Sequence, residues 1–353
     1  AVTRSGLSQG AIDALVARHR LSAIDVSQMT LTGEVWRLWR ANDNRSTRAL
    51  VLELSRERGI ARVQPNFVYA LAQNGSDAAL PQYALQRLHA EGFDAGARGE
   101  GVRVAVVDSL IDDNHPDLKA SVETKFDAVG AQSQPHNHGT AVAGTIAAHG
   151  AVRGIAPAAR ILAVRAFDAA AQGATLAILK GVDWAVAHGA RVVNMSFAGP
   201  ADPALARLLQ AAIARNVLLI AASGNAGPKS PPLYPAADPG VIAVAASDTA
   251  DSVYAGSVRG PHVRLAAPGV DVLLPAVDGK YDLQTGTSVA AGFVSGLAAL
   301  VVQREPTINQ DALRKLFLRT AQPLAAAGAA NADIGLVNAQ RAVERREKAG
   351  AGR

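Results

Sequence analysis

The chain has 353 residues, 49% hydrophobic, 4% aromatic and 18% charged, with a net charge of +5 and no cysteine. That length buries a large core of Ala, Val, Leu and Ile, and the lack of cysteine excludes disulfides, thiolate metal sites and a Cys nucleophile. Residues 1–70 hold ten Arg against six acids and the remainder is near neutral, but the Arg residues are scattered and lack interleaved aromatics, so no nucleic-acid partner is expected.

Residues 11–69 read as a small α+β unit. Ile12, Leu15 and Val16 have helical spacing, 35–40 alternates like a strand, and 49–58 is helical with Leu50, Val51 and Leu54 on one face. Val63 and Phe67-Val68-Tyr69 suggest a last strand. Residues 72–77 are small and polar, a linker composition. From about 100 the pattern changes. Apolar runs at 102–107, 161–164, 192–195, 217–221 and 241–245 alternate with helical stretches such as 176–188 and 203–215. Near-continuous apolar strands separated by helices predict an α/β fold: a doubly wound, mostly parallel sheet with helices on both faces. The longest apolar helix, 289–302, is broken by Gly292, Ser295 and Gly296 and reads as a core helix, so no membrane span is expected. The tail 346–353 reads as flexible.

Three stretches carry chemistry. Val104-Ala105-Val106-Val107-Asp108-Ser109 ends a strand on an acid; His138-Gly139-Thr140-Ala141 opens a helix on a histidine; Gly286-Thr287-Ser288-Val289 opens another on a serine. A fourth, Ser223-Gly224-Asn225-Ala226-Gly227, follows a strand with an amide. Each has a plain structural reading: a turn Asp, a capping His (His115, His136 and His149 lie near it), an N-cap Ser, a turn Asn. Together they supply a carboxylate, an imidazole base, a hydroxyl nucleophile and an oxyanion donor. A dinucleotide-binding enzyme would need Gly-x-Gly-x-x-Gly after the first strand, and 102–107 leads into Asp108-Ser109-Leu110 instead.

With these motifs, and with His115-Pro116-Asp117-Leu118 and Asn194-Met195-Ser196 in support, the chain from about 80 to 343 resembles the subtilisin-like serine peptidases, the subtilases. The resemblance implies that Ser288 is the nucleophile, His138 the base, Asp108 its orienting carboxylate and Asn225 the oxyanion donor. It implies that Ser196-Phe197-Ala198-Gly199 pairs with extended substrate, and that Ser223-Gly224 walls the specificity pocket opposite Ala198-Gly199. Ala198 and Ala226 suggest uncharged, smaller or apolar side chains at the cleavage position. Val63-Gln64-Pro65-Asn66-Phe67-Val68-Tyr69 resembles the end of the family's inhibitory propeptide. The implied domains are a propeptide-like unit (1–72), a linker with a processing site (73–80), a catalytic domain (81–345) and the tail. The implied partners are protein or peptide substrates and the chain's own N-terminal unit as inhibitor. The implied localisation is secreted or periplasmic, with no signal peptide at Ala1.

The chain departs from the family in places. Leu110 replaces a usual Gly, and would be strained if the backbone there had a positive φ. Ala141 replaces a second His; Val289 and Gly292 replace Met and Pro. No cofactor is expected for the chemistry. Structural calcium is possible in the family, but residues 149–153 are too short for its tight calcium loop and lack carboxylates. Asp112, Asp113 and Asp117 cluster, with an exposed acidic turn as the plain reading. Two other readings remain: a catalytically silent subtilase-fold binding protein, and a non-peptidase hydrolase using the same triad.

Overall fold

The structure is a computed structural model and describes residues 1–4, 6–43, 45–71, 74–75, 82–91, 96–130, 133–324 and 333–344. The tail 346–353, and the segment 73–80 apart from Asn74 and Gly75, lie outside the described residues.

The N-terminal unit comprises β1 (Val2–Thr3), α1 (Gln9–Arg18), β2 (Leu21–Gln28), β3 (Val35–Ala41), α2 (Thr47–Leu54) and β4 (Ile60–Arg62), with sheet order β2-β3-β1-β4. Ser8 and Ser46 cap the two helices. α2 is shorter than the sequence suggests: it stops at Leu54, and Ser55 to Gly59 turn into β4. Of the strand expected at 63–69 only Val68 and Tyr69 are in one, β5 (Val68–Leu71); residues 63–67 have no regular structure, and β4 ends before them. Pro65, which lacks an N–H, falls between the two strands. The 72–77 stretch expected as a linker contains a short strand, β6 (Asn74–Gly75).

Next come α3 (Tyr83–Arg87), β7 (Arg103–Asp108), β8 (Val122–Asp127), α4 (Asn137–Ala147), β9 (Arg160–Arg165), β10 (Gln172–Ala174), α5 (Thr175–Ala187), β11 (Val192–Met195), β12 (Phe197–Ala198), α6 (Pro203–Ala214), β13 (Leu218–Ala222) and β14 (Ile242–Ser247). The chain continues through β15 (Val263–Pro268), β16 (Val272–Pro275), β17 (Tyr281–Thr285), α7 (Thr287–Arg304), α8 (Gln310–Thr320), β18 (Gln322–Pro323), β19 (Gly335–Leu336) and α9 (Ala339–Glu344). Nine strands form one sheet, ordered β18-β19-β15-β14-β13-β11-β7-β9-β8, parallel except where β18 meets β19.

Strand residues alternate between two cores, as a pleat dictates. Val104 and Val106 face a cluster with α4 and α7; Ala105 and Val107 face one with α5 and α6. This is the expected α/β architecture. α7 is apolar and long enough to cross a membrane, but 89% of it is buried inside the protein. The N-terminal unit has a thin core of its own, Leu15, Leu21, Leu54 and Ile60. Its Val2, Met29, Leu31 and Trp36 join the cluster on the α5–α6 face. So small an apolar core supplies little stability alone, and the unit leans on the larger domain.

Candidate active site

β7 delivers Asp108 to the carboxyl edge of the sheet, where open α/β sheets gather their sites. Its side chain is fully buried. Oδ1 accepts the Ser109 backbone N–H at 2.7 Å and the Ser109 hydroxyl at 3.1 Å, and lies 2.7 Å from His138 Nδ1. A carboxylate withdrawn from water persists only when so paired. With Nδ1 donating to Asp108, Nε2 of a neutral His138 is the acceptor and the basic end of the ring. Nε2 is buried without a hydrogen-bond partner.

His138 sits in the first turn of α4, and the neighbouring His136 Nδ1 accepts its backbone N–H at 3.1 Å. Burial, and next the nearby His138, lower the pKa of His136. Ser109 Oγ also accepts the Gly139 N–H at 3.0 Å. A Cβ on Gly139 would fall 2.7 Å from the Ser109 carbonyl oxygen. The glycine after the histidine therefore lets α4 begin against the end of β7.

Ser288 is the second residue of α7. The cap position is Gly286, so the N-cap reading of the serine does not hold. The positive dipole end of the helix lies beside it. Ser288 Oγ donates to the Ser196 carbonyl at 3.3 Å, and Ser196 Oγ donates to the Ser288 carbonyl at 3.1 Å. Asn194 Nδ2 donates to Ser196 Oγ and Ser295 Oγ donates to Asn194 Oδ1, each at 2.9 Å. This buried polar ladder ties the floor of β11 to α7.

Asn225 follows β13. Its Oδ1 accepts the Thr287 N–H at 3.0 Å and the Thr287 hydroxyl at 2.9 Å. Those donors fix which end of the amide is oxygen, and leave Nδ2 buried without a partner.

The starts of α4 and α7 meet because of Gly292. A Cβ there would lie 2.0 Å from Thr145 Oγ1 and 3.3 Å from the Val142 carbonyl. Val142 is four residues after His138 and Gly292 four after Ser288, and positions i and i+4 share a helix face. The close approach of the two helices lies one turn in from His138 and from Ser288. Ala141, expected to matter little, is buried in α4.

A groove runs past this cluster. β5 lies antiparallel between β10 and β12, with Leu71 opposite Phe197, Ala70 opposite Ala198 and Gln172, and Tyr69 opposite Gly173. β6 pairs antiparallel with β17, with Asn74 opposite Thr285, three residues before Ser288. Phe197 and Ala198 thus pair with β5, and Gly199 is bridged to Tyr234. Ser223 and Gly224 stand on the other side of Ser288, the Gly224 N–H donating to Thr287 Oγ1 at 3.1 Å. Sequence reasoning missed β10, β17 and the roles of Ser109 and Thr287. Ser109 and Thr287 each adjoin a motif residue, which was the available signal.

Leu110 lies outside the left-handed region, so the strain raised from its sequence is not present. The acids of 112–117 are not an exposed turn. Asp112 and Asp117 are buried, and only Asp113 sits outside, paired with Lys125 at 2.8 Å. Asp117 Oδ1 accepts the Ala151 N–H at 3.0 Å and the Tyr281 hydroxyl at 2.9 Å, and Oδ2 accepts the Val152 N–H at 2.8 Å. Gln82 exchanges hydrogen bonds with the backbone of Arg153. Among the described residues, no group of three or more His, Asp or Glu could hold a metal ion.

A two-sided α/β sheet with a buried Asp–His pair, a serine at a helix start and a free amide beside it defines a serine hydrolase of the subtilisin type. The Subtilase family profile (Peptidase_S8) matches residues 99–342, and the chain belongs to this family of serine endopeptidases. It is 33% identical over 282 residues to subtilisin E of Bacillus subtilis (strain 168), covering 77% of this chain and 72% of that one. It is 38% identical over 253 residues to subtilisin BL of Lederbergia lenta, covering 70% and 92%. Among solved structures it is similar to fervidolysin of Fervidobacterium pennivorans, described as a keratinolytic enzyme related to subtilisin, with a TM-score of 0.79 and 25% identity. That match covers 96% of this chain, and this chain spans 60% of the solved one.

Proposed function

We propose that the chain is the self-inhibited precursor of a serine endopeptidase, residues 1–72 occupying the cleft of a catalytic domain spanning 81–345. The observation that carries this reading is β5. The end of the N-terminal unit lies antiparallel between two strands of the larger domain, the mode in which an extended peptide joins a sheet. The chain then re-emerges as β6 on β17. β5 ends with Leu71 opposite Phe197, the residue after Ser196, whose carbonyl accepts the Ser288 hydroxyl. Only residues 72 and 73 of the sequence join β5 to β6, and we assign the bond between Ala72 and Gln73 to Ser288. That bond lies at the N-terminal boundary of the processing segment expected at 73–80.

In this reading Ser288 Oγ attacks the carbonyl carbon while His138 Nε2 takes its proton. Asp108 holds the ring through Nδ1 and stabilises the imidazolium. Asn225 Nδ2 and the Ser288 backbone N–H donate hydrogen bonds to the developing oxyanion. On collapse the amine leaves with the proton from His138, and water hydrolyses the acyl-enzyme by the same route. No cofactor enters any step. The residues at 149–153 do not fit a calcium loop, because both Asp117 oxygens already accept protein donors; we assign Asp117 the closing of that loop. Substrates are proteins or peptides, and the enzyme acts outside the cytoplasm, secreted or periplasmic. The silent-binder alternative gains no support from a site with all four positions filled.

The N-terminal unit is also bolted to the larger domain by helix caps. Asn66 Oδ1 accepts the Leu176 N–H at 2.9 Å in the first turn of α5, a helix whose own cap residue, Ala174, offers no side-chain acceptor. Gln64 Oε1 accepts the Ala204 N–H at 3.1 Å at the start of α6. In return Asp183 of α5 accepts the Thr30 and Leu31 N–H groups at 2.8 and 2.6 Å. A fluorophosphonate probe tests the proposal: it should label Ser288 of the processed enzyme, and label neither Ser288→Ala nor His138→Ala.

A further inference from the structure

The docked N-terminal unit leaves a void at its seam with the larger domain. A cavity of about 100 Å³ lies between α2, β3 and residues 63–66 on one side and α5 on the other. Its lining is chiefly apolar: Leu50, Val51 and Val63 come from the N-terminal unit, Leu176 and Leu179 from the larger domain. Leu176 and Leu179 are buried, whereas Leu50, Val51 and Val63 opposite them are only partly so. The caps that Gln64 and Asn66 place on α6 and α5 fix the spacing of the two walls. Side chains facing a void forgo dispersion contacts that a guest restores, and an apolar void of about 150 Å³ takes up benzene. Arg37 of β3 also lines the cavity. Its Nε is buried without a hydrogen-bond partner, and no carboxylate among the described residues pairs with its guanidinium. An unpaired guanidinium beside an apolar void suits a guest with an apolar body and an anionic end.

We infer that this seam is a binding site for a small aromatic carboxylate of about benzoate size, present only while the N-terminal unit is docked. The ring fills the void and the carboxylate meets Arg37. The site itself does not depend on catalysis; its consequence for activation rests on the proposed function. Because the guest binds the docked form alone, it tightens the docking by the factor 1 + [L]/Kd. An aromatic acid in the surroundings would therefore hold the precursor closed.

The test uses the whole Ser288→Ala chain, with benzoate as the probe. Trp36 and Trp39 line the cavity and are two of the three tryptophans in the chain, so fluorescence reports its occupancy. Benzoate should change that fluorescence saturably and raise the melting temperature. Benzylamine, a similar ring with a positive charge, should bind about fivefold or more weakly. Arg37→Gln should bring the two probes level. Val51→Phe fills the void and should abolish the benzoate response; Leu176→Phe does so from the other wall, should the first variant fold poorly. In the wild-type chain, benzoate at ten times its Kd should slow the appearance of free peptidase activity, read after dilution, about tenfold. No saturable response of the Ser288→Ala chain, an equal response to benzylamine, or a response that survives both filling variants overturns the site. A wild type that takes up no fluorophosphonate at Ser288 overturns the peptidase reading and the effect on activation, while the benzoate response of the Ser288→Ala chain still decides the site.

Discussion

His138 Nδ1 and Asp108 Oδ1 lie 2.7 Å apart in a buried pocket, while Nε2 on the other side of the same ring has no partner. The ring is held from behind and open towards substrate, the arrangement a general base requires. Asp108→Asn would place an amide against Nδ1, turn the ring to the wrong tautomer and lower kcat by about four orders of magnitude, the effect known for this change in a serine-protease triad. Titration of kcat/KM against pH checks it. An Asp108→Asn enzyme within tenfold of wild type would contradict the assignment.

Asn225 acts at two ends of one amide. Oδ1 takes both donors of Thr287, and Nδ2 is the free end. Asn225→Ala should lower kcat by about 10²–10³, the loss measured for such a donor in subtilisin, with KM little changed. It should also lower the melting temperature, because the Thr287 donors lose their acceptor. A rise in KM with kcat unchanged would instead place Asn225 in substrate binding.

Beneath the nucleophile, Asn194 links Ser196 to Ser295 inside the core. Asn194→Ala removes the donor to Ser196 Oγ, while Ser295 Oγ keeps the Ala291 carbonyl, and should cost about 1 kcal/mol of stability. Denaturant unfolding of the Ser288→Ala chain, with and without Asn194→Ala, measures it. No difference would mean the ladder contributes nothing to stability.

The α4 cap predicts a pH dependence. Burial holds His136 below its usual value of 6.5, so the unfolded chain binds a proton in a range where the folded chain does not. Stability should therefore be level above 6.5 and fall as pH drops through the folded-state pKa. The half-buried His262, whose pKa burial also lowers, acts in the same direction. His136→Asn keeps a capping acceptor without the titration, and should flatten part of that fall in a melting series on Ser288→Ala chains. An unchanged slope would remove His136 as a cause.

Asp117 closes residues 149–153 with two backbone hydrogen bonds to its carboxylate, which also accepts the Tyr281 hydroxyl. A chelator should therefore leave the melting temperature unmoved, and added calcium should not raise it. Asp117→Asn turns an acceptor into a donor facing N–H groups and should cost about 2–3 kcal/mol. A chelator-induced drop of several degrees would contradict the assignment.

The central strands were legible because a strand covered on both faces needs apolar residues throughout, as 104–107 and 192–195 have. Asp108, His138 and Ser288 were legible because each ends or opens such an element. β8, Val-Glu-Thr-Lys-Phe-Asp, was not: at the sheet edge it alternates half-buried and exposed and carries no apolar run. β5 could not be read as a groove-filling strand, since its partners, Gln172–Ala174 and Phe197–Ala198, lie about a hundred residues or more away.

The most direct test is the intact mass of the wild-type and Ser288→Ala chains after incubation. The account predicts that wild type separates into a fragment ending at Ala72 and an enzyme beginning at Gln73, while Ser288→Ala stays whole. Cleavage of the Ser288→Ala chain at that bond under the same conditions, or a wild type that stays whole and takes up no fluorophosphonate, would contradict it.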